Sequence, residues 1–333
     1  MIDLSEVART LVAPGKGLLA ADESTLSANK RLALYGVEGT EENRRQDREL
    51  FLETPGIEKY LSGVILYSET LDQKDDEDGL YFPESLAKHG IIPGIKVDEG
   101  LEPFPGSSDE SITKGLVGLA ERVADFKAKH HPGFTKWRAV VNIDGDRLPT
   151  SSALVENAKR LAMYAYEVQK EGMVPIVEPE VLLAGNHSRL RAREVITKTM
   201  NALVAAMEDN AVDLTAVIIK TSMAVSGSES GKTDTPEEVA EDTLGALMET
   251  IPIAIPGVVF LSGGQTPDQA TENLRAITKR AAELQAPWPL TYSYARALQE
   301  EALAIWAGKK ENLPAAREAF LARLKKVSDA TKG

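Results

Sequence analysis

The sequence predicts an α/β protein built as a single-domain (β/α)8 barrel, also called a TIM barrel, and three observations support this fold. Short apolar segments alternate with long amphipathic segments about eight times along the 333 residues, as expected for parallel strands covered by helices. The polar ends of the apolar segments recur at intervals of one strand plus one helix, with no domain break. No Gly-rich dinucleotide-binding motif follows the first apolar segment, which disfavours the alternative, an open doubly wound sheet.

Eight apolar segments are predicted strands because they are short and bounded by polar or glycine residues. Their nearly continuous apolar character is typical of strands that are buried on both faces. The predicted strands are Leu18–Asp22, Leu61–Ser68, Ile91–Asp98, Lys136–Ile143, Met173–Val181, Leu214–Met223, Pro256–Gln265 and Pro289–Ala295.

The segments between these strands are predicted helices. Apolar residues recur at helical spacing within 152–172 and 195–207, and a further helix is predicted over 110–129. Thr235 and Thr266 are predicted N-caps, because each precedes a proline at the first helical position. We expect residues 1–333 to form one domain, with a short N-terminal helical extension and a C-terminal helical region over about 297–333.

Composition excludes several classes of function. The net charge of −13 disfavours nucleic acid and membrane surfaces as partners. The chain has no cysteine, and its four histidines form no metal-binding motif, so we expect neither a metal nor another cofactor. No apolar run reaches membrane-spanning length and no secretory leader is evident, which predicts a cytoplasmic protein.

The chemistry of barrel enzymes lies at the carboxyl ends of the strands. Residues two apart in a strand share a face, so Lys136 and Arg138 are expected to point into one mouth, as are Glu178 and Glu180. Cations outnumber acids there, which predicts a small anionic substrate for this acidic protein. The charged or small polar residues at these ends are Asp22, Lys96, Lys136, Arg138, Glu178, Glu180, Lys220, Ser262, Gly263 and Arg296.

Lys220 closes the apolar segment that begins at Leu214. A lysine is rarely buried without a partner, and one in this position acts as an amine nucleophile where desolvation and neighbouring cations favour its neutral form. This segment taken alone favours a simpler interpretation, in which the lysine marks the point where the strand meets water. The other charged strand ends favour the nucleophile.

Two segments are predicted phosphate sites. Ser262 and Gly263 lie in a glycine-containing turn before a helix start, where the backbone can approach an anion, and Arg296 follows the next strand. We expect two phosphate sites on opposite sides of the mouth, an arrangement that suits a bisphosphate. The second site is the helix start after the first strand, with Ser27, Lys30 and Arg31.

A collinear set of short motifs resembles the class I fructose-1,6-bisphosphate aldolases. The match spans about residues 15–315 and is specific as a set. The motifs are Gly15–Thr25, Thr40–Arg45, Gly63–Leu71, Gly94–Asp98, Lys136–Arg138, Val174–Glu180, Phe260–Gln265 and Gly308–Asn312. The resemblance implies a metal-independent (β/α)8 enzyme that cleaves fructose 1,6-bisphosphate to dihydroxyacetone phosphate and glyceraldehyde 3-phosphate, and a homo-oligomer, often a tetramer.

The resemblance also implies residue roles. Lys220 matches the lysine that forms a Schiff base with the C2 carbonyl, and Glu178 matches the acid/base that dehydrates the carbinolamine. Asp22 matches a carboxylate near the C4 hydroxyl. Lys136 matches the cation that assists Lys220, and Glu180 matches a carboxylate hydrogen-bonded to these lysines.

Substrate-binding roles follow from the same resemblance. Lys96 and Arg138 match substrate-binding cations. One phosphate site is matched by Ser262, Gly263 and Arg296, and the other by Ser27, Lys30 and Arg31.

The sequence departs from the animal pattern at several positions. Thr221 and Ser222 replace a Pro-Asn pair, Leu26 and Ala295 replace glycines, and the sequence ends at Gly333 without a long tail and terminal tyrosine. We therefore expect another base, Glu178 or a substrate phosphate, to serve in proton transfer at the carbanion.

Two alternatives to the leading function are retained. The first is an aldolase that acts also or mainly on sedoheptulose 1,7-bisphosphate. The second is a non-catalytic phosphosugar-binding scaffold, which is disfavoured because a silent relative is expected to lose Lys220, Glu178 or Asp22, and all three are present.

Overall fold

The protein is a closed barrel of parallel strands surrounded by helices. The computed structural model describes residues 3–332, and its strands are β1 (Gly17–Ala21), β2 (Leu61–Leu66), β3 (Ile92–Lys96), β4 (Leu101–Pro103), β5 (Ser111–Thr113), β6 (Phe134–Val141), β7 (Val174–Val181), β8 (Ile218–Thr221), β9 (Val258–Phe260) and β10 (Leu290–Tyr294). Eight of them close into a ring in the order β1-β2-β3-β6-β7-β8-β9-β10, with β10 beside β1. The predicted (β/α)8 barrel is confirmed.

Helices follow the barrel strands and cover the outside of the ring. They are α1 (Leu4–Leu11), α2 (Thr25–Ala33), α3 (Glu41–Leu52), α4 (Ser68–Leu71), α5 (Phe82–Lys88), α6 (Leu119–His130), α7 (Ser151–Lys170), α8 (Arg189–Asp209), α9 (Pro236–Thr250), α10 (Pro267–Glu283), α11 (Arg296–Trp306) and α12 (Leu313–Ala330). Within residues 3–332, every helix is too short or too polar to cross a membrane.

Most predicted elements are confirmed, and the helix starts show why. Thr235 accepts a hydrogen bond from the N–H of Glu238, whose carboxylate in turn accepts the N–H of Thr235. Thr266 and Gln269 make the same reciprocal pair at the start of α10. Each pair satisfies backbone donors that the first helical turn leaves unbonded.

Several predicted boundaries differ from those of the structure, and two of the differences have a clear local cause. The first part of the predicted helix 110–129 is instead β5, which pairs antiparallel with β4. α6 starts only at Leu119, because the backbone at Gly115 and Gly118 has positive φ angles of 119° and 67°, outside the helical region. The predicted strand from Leu214 begins with a short 3-10 turn, since the Asp213 carboxylate accepts the N–H of Thr215.

Two apolar layers hold the barrel together. The outer layer lies between the strands and the helices. The inner layer fills the ring with inward-facing side chains and is closed at the amino-terminal end by α1, which buries Ala8 and Leu11. The inner strand residues of this layer are Leu18, Ala20, Ile65, Phe134, Val174, Ile176, Ile218 and Val259. Because this end is packed shut, the only wide opening left by the ring in residues 3–332 is at the carboxyl ends of the strands.

We predict that Gly94 cannot be replaced by a larger residue without loss of stability, because the Phe134 ring packs against it. A Cβ added at Gly94 lies 2.3 Å from the Phe134 ring, so Gly94→Ala should lower the free energy of unfolding by about 1–3 kcal/mol through overpacking. Urea denaturation measures this change. In Gly94→Ala/Phe134→Leu the smaller leucine side chain relieves the clash. The double variant should therefore lose less stability than the sum of the losses of the two single variants. A loss equal to that sum contradicts a contact between residues 94 and 134.

Candidate active site

The carboxyl ends of the strands surround one cavity of about 1130 Å³. Every residue predicted for the site lines this cavity, so the structure brings the whole set together. The predicted residues found there are Asp22, Ser27, Lys30, Arg31, Lys96, Lys136, Arg138, Glu178, Glu180, Lys220, Ser262, Gly263 and Arg296. Their roles in binding or catalysis are predictions.

Four buried side chains of alternating charge form a chain across the floor of the cavity. The Lys220 Nζ lies 2.9 Å from Glu178 Oε1, and Glu178 Oε2 lies 2.6 Å from Lys136 Nζ. Lys136 Nζ also donates a hydrogen bond of 2.9 Å to Asp22 Oδ2. In ionised form the four groups carry no net charge, which is the condition under which buried charges are tolerated.

These contacts shift the proton affinities of the chain. Burial raises the pKa of Asp22, but the ammonium groups of Lys136 and Lys220 outweigh it and lower that pKa to about 2. Burial also raises the pKa of Glu178, and the same two lysines bring it below its ordinary value. Burial lowers the pKa of Lys136, yet Asp22 and Glu178 raise it overall. Both carboxyls are therefore ionised and Lys136 is a cation at neutral pH.

The immediate surroundings of Lys220 differ from the expectation that cations crowd it. A carboxylate oxygen of Glu178, rather than a cation, is in direct contact with its amine. Lys136 reaches the other oxygen of the same carboxylate. Glu178 thus lies between the two lysines, where it can accept a proton from one while it stays bound to the other.

A second set of ion pairs lines the wall of the cavity. Arg138 Nε lies 2.5 Å from Glu180 Oε2, so Glu180 pairs with an arginine rather than with the lysines that the resemblance implied. Lys96 Nζ lies 2.7 Å from Asp98 Oδ1. Sequence reasoning did not single out Asp98. Its position two residues after Lys96, on the same face of an extended segment, is the signal that identifies it.

The predicted anion site after β9 has the expected geometry. Gly263 and Gly264 have φ angles of 57° and 95°, a conformation that favours glycine and turns the backbone tightly before α10. Arg296, at the start of α11, approaches this turn: its Nη2 lies 3.7 Å from where a Cβ of Gly264 would stand. Arg296 is exposed and forms no ion pair with a carboxylate of residues 3–332, so its guanidinium can bind an anion.

The second predicted anion site is only partly open. Lys30 is exposed and, in the described part of the chain, unpaired. Arg31 instead forms a salt bridge of 2.5 Å with Asp47 of α3, and it also contacts Glu23 and the amide oxygen of Gln299 in α11. Most donors of Arg31 are therefore occupied by protein groups.

The two predicted anion sites are not on opposite sides of the mouth, and that expectation is wrong. β1 pairs with β10 in the closed ring, so the segments after these strands are neighbours. The contact between Arg31 and Gln299 joins them directly. The sequence order, which separates the two sites by most of the chain, concealed this proximity.

Ser293 is a further cavity residue that sequence reasoning missed. It lies in β10 beside Leu18 of β1 and is 1% exposed, and its hydroxyl bonds to no protein group of residues 3–332. The alternation of Tyr292 and Tyr294 with Ser293 in β10 places the serine on the inner face, a signal available in the sequence.

The fold and the site together define a (β/α)8-barrel enzyme with buried lysines and carboxylates at the floor of a mouth that is also lined by exposed cations. A sequence model described as "Fructose-bisphosphate aldolase class-I" matches residues 3–333. The chain therefore belongs to the class I fructose-bisphosphate aldolase family.

Individual relatives agree with this assignment. The chain is 48% identical over 332 residues to a fructose-bisphosphate aldolase of Drosophila melanogaster, covering 99% of this chain and 90% of the relative. It is 47% identical over 323 residues to the cytoplasmic isozyme of Spinacia oleracea, covering 97% and 89% of the two chains. A Plasmodium falciparum fructose-bisphosphate aldolase, solved in a ternary complex with TRAP and a small-molecule inhibitor, superimposes with a TM-score of 0.95 at 43% identity, covering 98% and 93%.

We predict that Lys136 is required for the stability of the buried chain of charges. Lys136→Met leaves two buried carboxylates with fewer partners and should lower the free energy of unfolding by about 3–5 kcal/mol near neutral pH. The loss should shrink as the pH falls, because the folded variant then takes up protons at Asp22 and Glu178. The wild-type protein, with the pKa of Asp22 at about 2 instead of 3.8, loses the stabilisation from Asp22 only below about pH 4.

Urea denaturation between pH 4 and pH 8 tests this prediction. Lys88→Met is the matched control, because Lys88 pairs with Asp78 on the surface, where its side chain is 56% exposed. The control should change stability little at any pH. A loss for Lys136→Met that stays constant across the pH range contradicts the charge-chain interpretation.

Proposed function

We propose that the protein cleaves fructose 1,6-bisphosphate to dihydroxyacetone phosphate and glyceraldehyde 3-phosphate through an imine on Lys220. The observation that carries the proposal is the position of the Lys220 amine, which is buried at the end of β8 and lies 2.9 Å from Glu178 Oε1. Membership of the class I aldolase family supports it. The cavity around the amine, about 1130 Å³, has room for a sugar bisphosphate.

Imine formation begins with loss of a proton from Lys220. Glu178 is the acceptor in contact with the amine. The neutral amine attacks the C2 carbonyl of the open-chain ketose and forms a carbinolamine. Glu178 then returns a proton to the C2 hydroxyl, which leaves as water, and an iminium cation links C2 to Lys220.

Carbon–carbon cleavage uses this iminium as an electron acceptor. A carboxylate takes the proton of the C4 hydroxyl, the C4 oxygen forms the aldehyde, and the C3–C4 electron pair moves towards the imine nitrogen to give an enamine. Asp22, with a pKa of about 2, is ionised and suited to bind the C4 hydroxyl. The ammonium group of Lys136 forms ion pairs with both Asp22 and Glu178. Both carboxylates therefore keep fixed positions during the step.

Product release restores the enzyme. The enamine takes a proton at C3, delivered by Glu178 or by the substrate phosphate, which balances the proton removed from the C4 hydroxyl. Water then adds to the resulting iminium at C2. The C2–nitrogen bond then breaks, which frees dihydroxyacetone phosphate and Lys220. Glu178 is the group placed to carry protons at C2, since it contacts the lysine itself.

The ring order supports one direction for the bound substrate. Lys220 lies one residue before the end of β8, and the glycine turn at Ser262 and Gly263 follows the adjacent strand β9. The C1 phosphate, one bond from the carbon that reacts with Lys220, therefore binds at this turn with Arg296. The C6 phosphate extends towards the part of the mouth between Lys30, which follows β1, and Lys96, at the end of β3.

Two further properties belong to the proposal. The iminium supplies the electron acceptor, so the reaction needs no metal and should proceed in EDTA. We also assign the protein to the cytoplasm and to a homo-oligomer. The spinach relative is named a cytoplasmic isozyme, and light scattering after size-exclusion chromatography measures the oligomeric state.

Borohydride reduction tests the imine. Treatment of the protein with dihydroxyacetone phosphate and borohydride, in the presence of EDTA, should leave a reduced adduct on the peptide that contains Lys220, detected by mass spectrometry. Lys220→Arg should give no adduct and no cleavage activity. Lys232→Arg is the matched control, because Lys232 lies in an exposed loop after the same strand, and it should give the wild-type adduct. An unmodified Lys220 peptide in the wild-type protein contradicts the proposed function.

A further inference from the structure

We propose that Asp98 is a positioning residue that fixes the ammonium group of Lys96 where the C6 phosphate of the substrate binds. The inference rests on the function proposed above and assigns a role to a residue outside the predicted catalytic and binding set. It depends on three features of the wall of the cavity: the contacts of Asp98, the rigidity of its segment and the place of Lys96 in the ring.

Asp98 joins the predicted substrate-binding cations of two adjacent strands. Its Oδ1 lies 2.7 Å from Lys96 Nζ, which also donates a hydrogen bond of 3.0 Å to the Asp98 carbonyl. Its Oδ2 accepts the backbone N–H of Arg138 at 3.3 Å. The Asp98 side chain is 4% exposed and that of Lys96 is 16% exposed, so the pair is largely shielded from water and its geometry is well defined.

The segment that carries Asp98 is itself held in place. The N–H of Val97 donates to the Lys136 carbonyl at 3.1 Å, and the N–H of Glu99 donates to the Lys114 carbonyl at 2.9 Å. Asp98 therefore lies between two backbone bonds to neighbouring segments. A carboxylate fixed in this way holds the flexible lysine side chain in one position, which reduces the conformational entropy lost when the substrate binds.

The order of the strands in the ring places Lys96 opposite the turn that is proposed to bind the C1 phosphate. β3 and β9 are four places apart in a ring of eight strands, so Lys96 lies across the mouth from the turn at Ser262 and Gly263. A substrate anchored by its C1 phosphate at that turn and by C2 at Lys220 directs its C6 phosphate towards β3. Lys96 is a cation at the end of β3 that lines the cavity.

Asp98 also keeps Lys96 apart from the catalytic carboxylates. Burial raises the pKa of Asp22, while Lys136, Lys220 and, more weakly, Lys96 lower it, so the charge of Lys96 already acts on Asp22. Without the charge of Asp98, the Lys96 ammonium is drawn towards Asp22 and away from the phosphate. Loss of Asp98 is thus expected to weaken binding of the distal phosphate rather than imine formation.

A comparison of two substrates tests this role. Fructose 1-phosphate has the reacting carbons and the C1 phosphate of fructose 1,6-bisphosphate but lacks the C6 phosphate. Asp98→Asn should lower kcat/KM for the bisphosphate by roughly tenfold or more, the effect of losing one hydrogen bond between charged groups, mainly through KM. Its kcat/KM for fructose 1-phosphate should stay close to the wild-type value.

Further variants separate positioning from a general structural effect. Lys96→Met should show the same selective loss, and Asp98→Asn/Lys96→Met should be no worse than Lys96→Met alone, because Asp98 acts through Lys96. Asp78→Asn, which removes an exposed carboxylate paired with Lys88, should leave both substrates unaffected. If Asp98→Asn does not fold, Asp98→Glu is measured instead. This variant keeps the negative charge but moves the carboxylate, so its kcat/KM should fall for the bisphosphate and not for fructose 1-phosphate.

Three outcomes overturn the inference: an equal loss for both substrates, unchanged kcat/KM for the bisphosphate, or losses that add in the double variant. Each of them leaves the proposed function intact as long as the wild-type protein cleaves fructose 1,6-bisphosphate. A wild-type protein that cleaves neither substrate contradicts the proposed function itself.

Discussion

The site depends on one carboxylate, Glu178, which touches the amines of both Lys220 and Lys136. Burying any one of these charges alone is strongly unfavourable, but alternating charges in contact compensate one another. The three side chains come from β6, β7 and β8, which pair consecutively. The charges alternate only while these strands keep their register. The same strand pairing therefore closes the barrel and keeps the buried charges of the site compensated.

Closure of the ring places the remaining groups around this centre. The turn after β9 and the helices after β10 and β1 form one continuous arc of predicted anion-binding groups, while Lys96 on β3 lies across from it. Within the arc, Arg31 contacts Glu23, Asp47 and Gln299, so a residue that resembles a phosphate ligand also joins α2, α3 and α11. The contacts of this single guanidinium therefore support the packing of three helices beside the predicted phosphate site.

Much of this arrangement was predictable from the sequence, because the barrel strands are short apolar runs and the site residues follow from their inward-facing positions. The contacts between these residues were less predictable. Nothing in the local sequence says that Glu180 pairs with Arg138, or that β10 lies beside β1 and thereby brings two anion sites together. The prediction of a helix over 110–129 was wrong for the first part of this range. There the chain pairs with β4, and the positive φ angles at Gly115 and Gly118 are incompatible with a helix in spite of the amphipathic pattern.

The contact of Gln299 with the start of the chain has a consequence for synthesis on the ribosome. Gln299 donates to the carbonyl of Ala20 in β1 and accepts a hydrogen bond from Arg31, so groups near residue 20 are fixed by a residue translated almost 280 positions later. Folding of the early strands during translation cannot complete the mouth. A nascent or truncated chain that lacks α11 contains Lys220 but lacks Arg296 and Gln299. Under the proposed function, such a chain cannot bind the substrate until the last helices join the first strand.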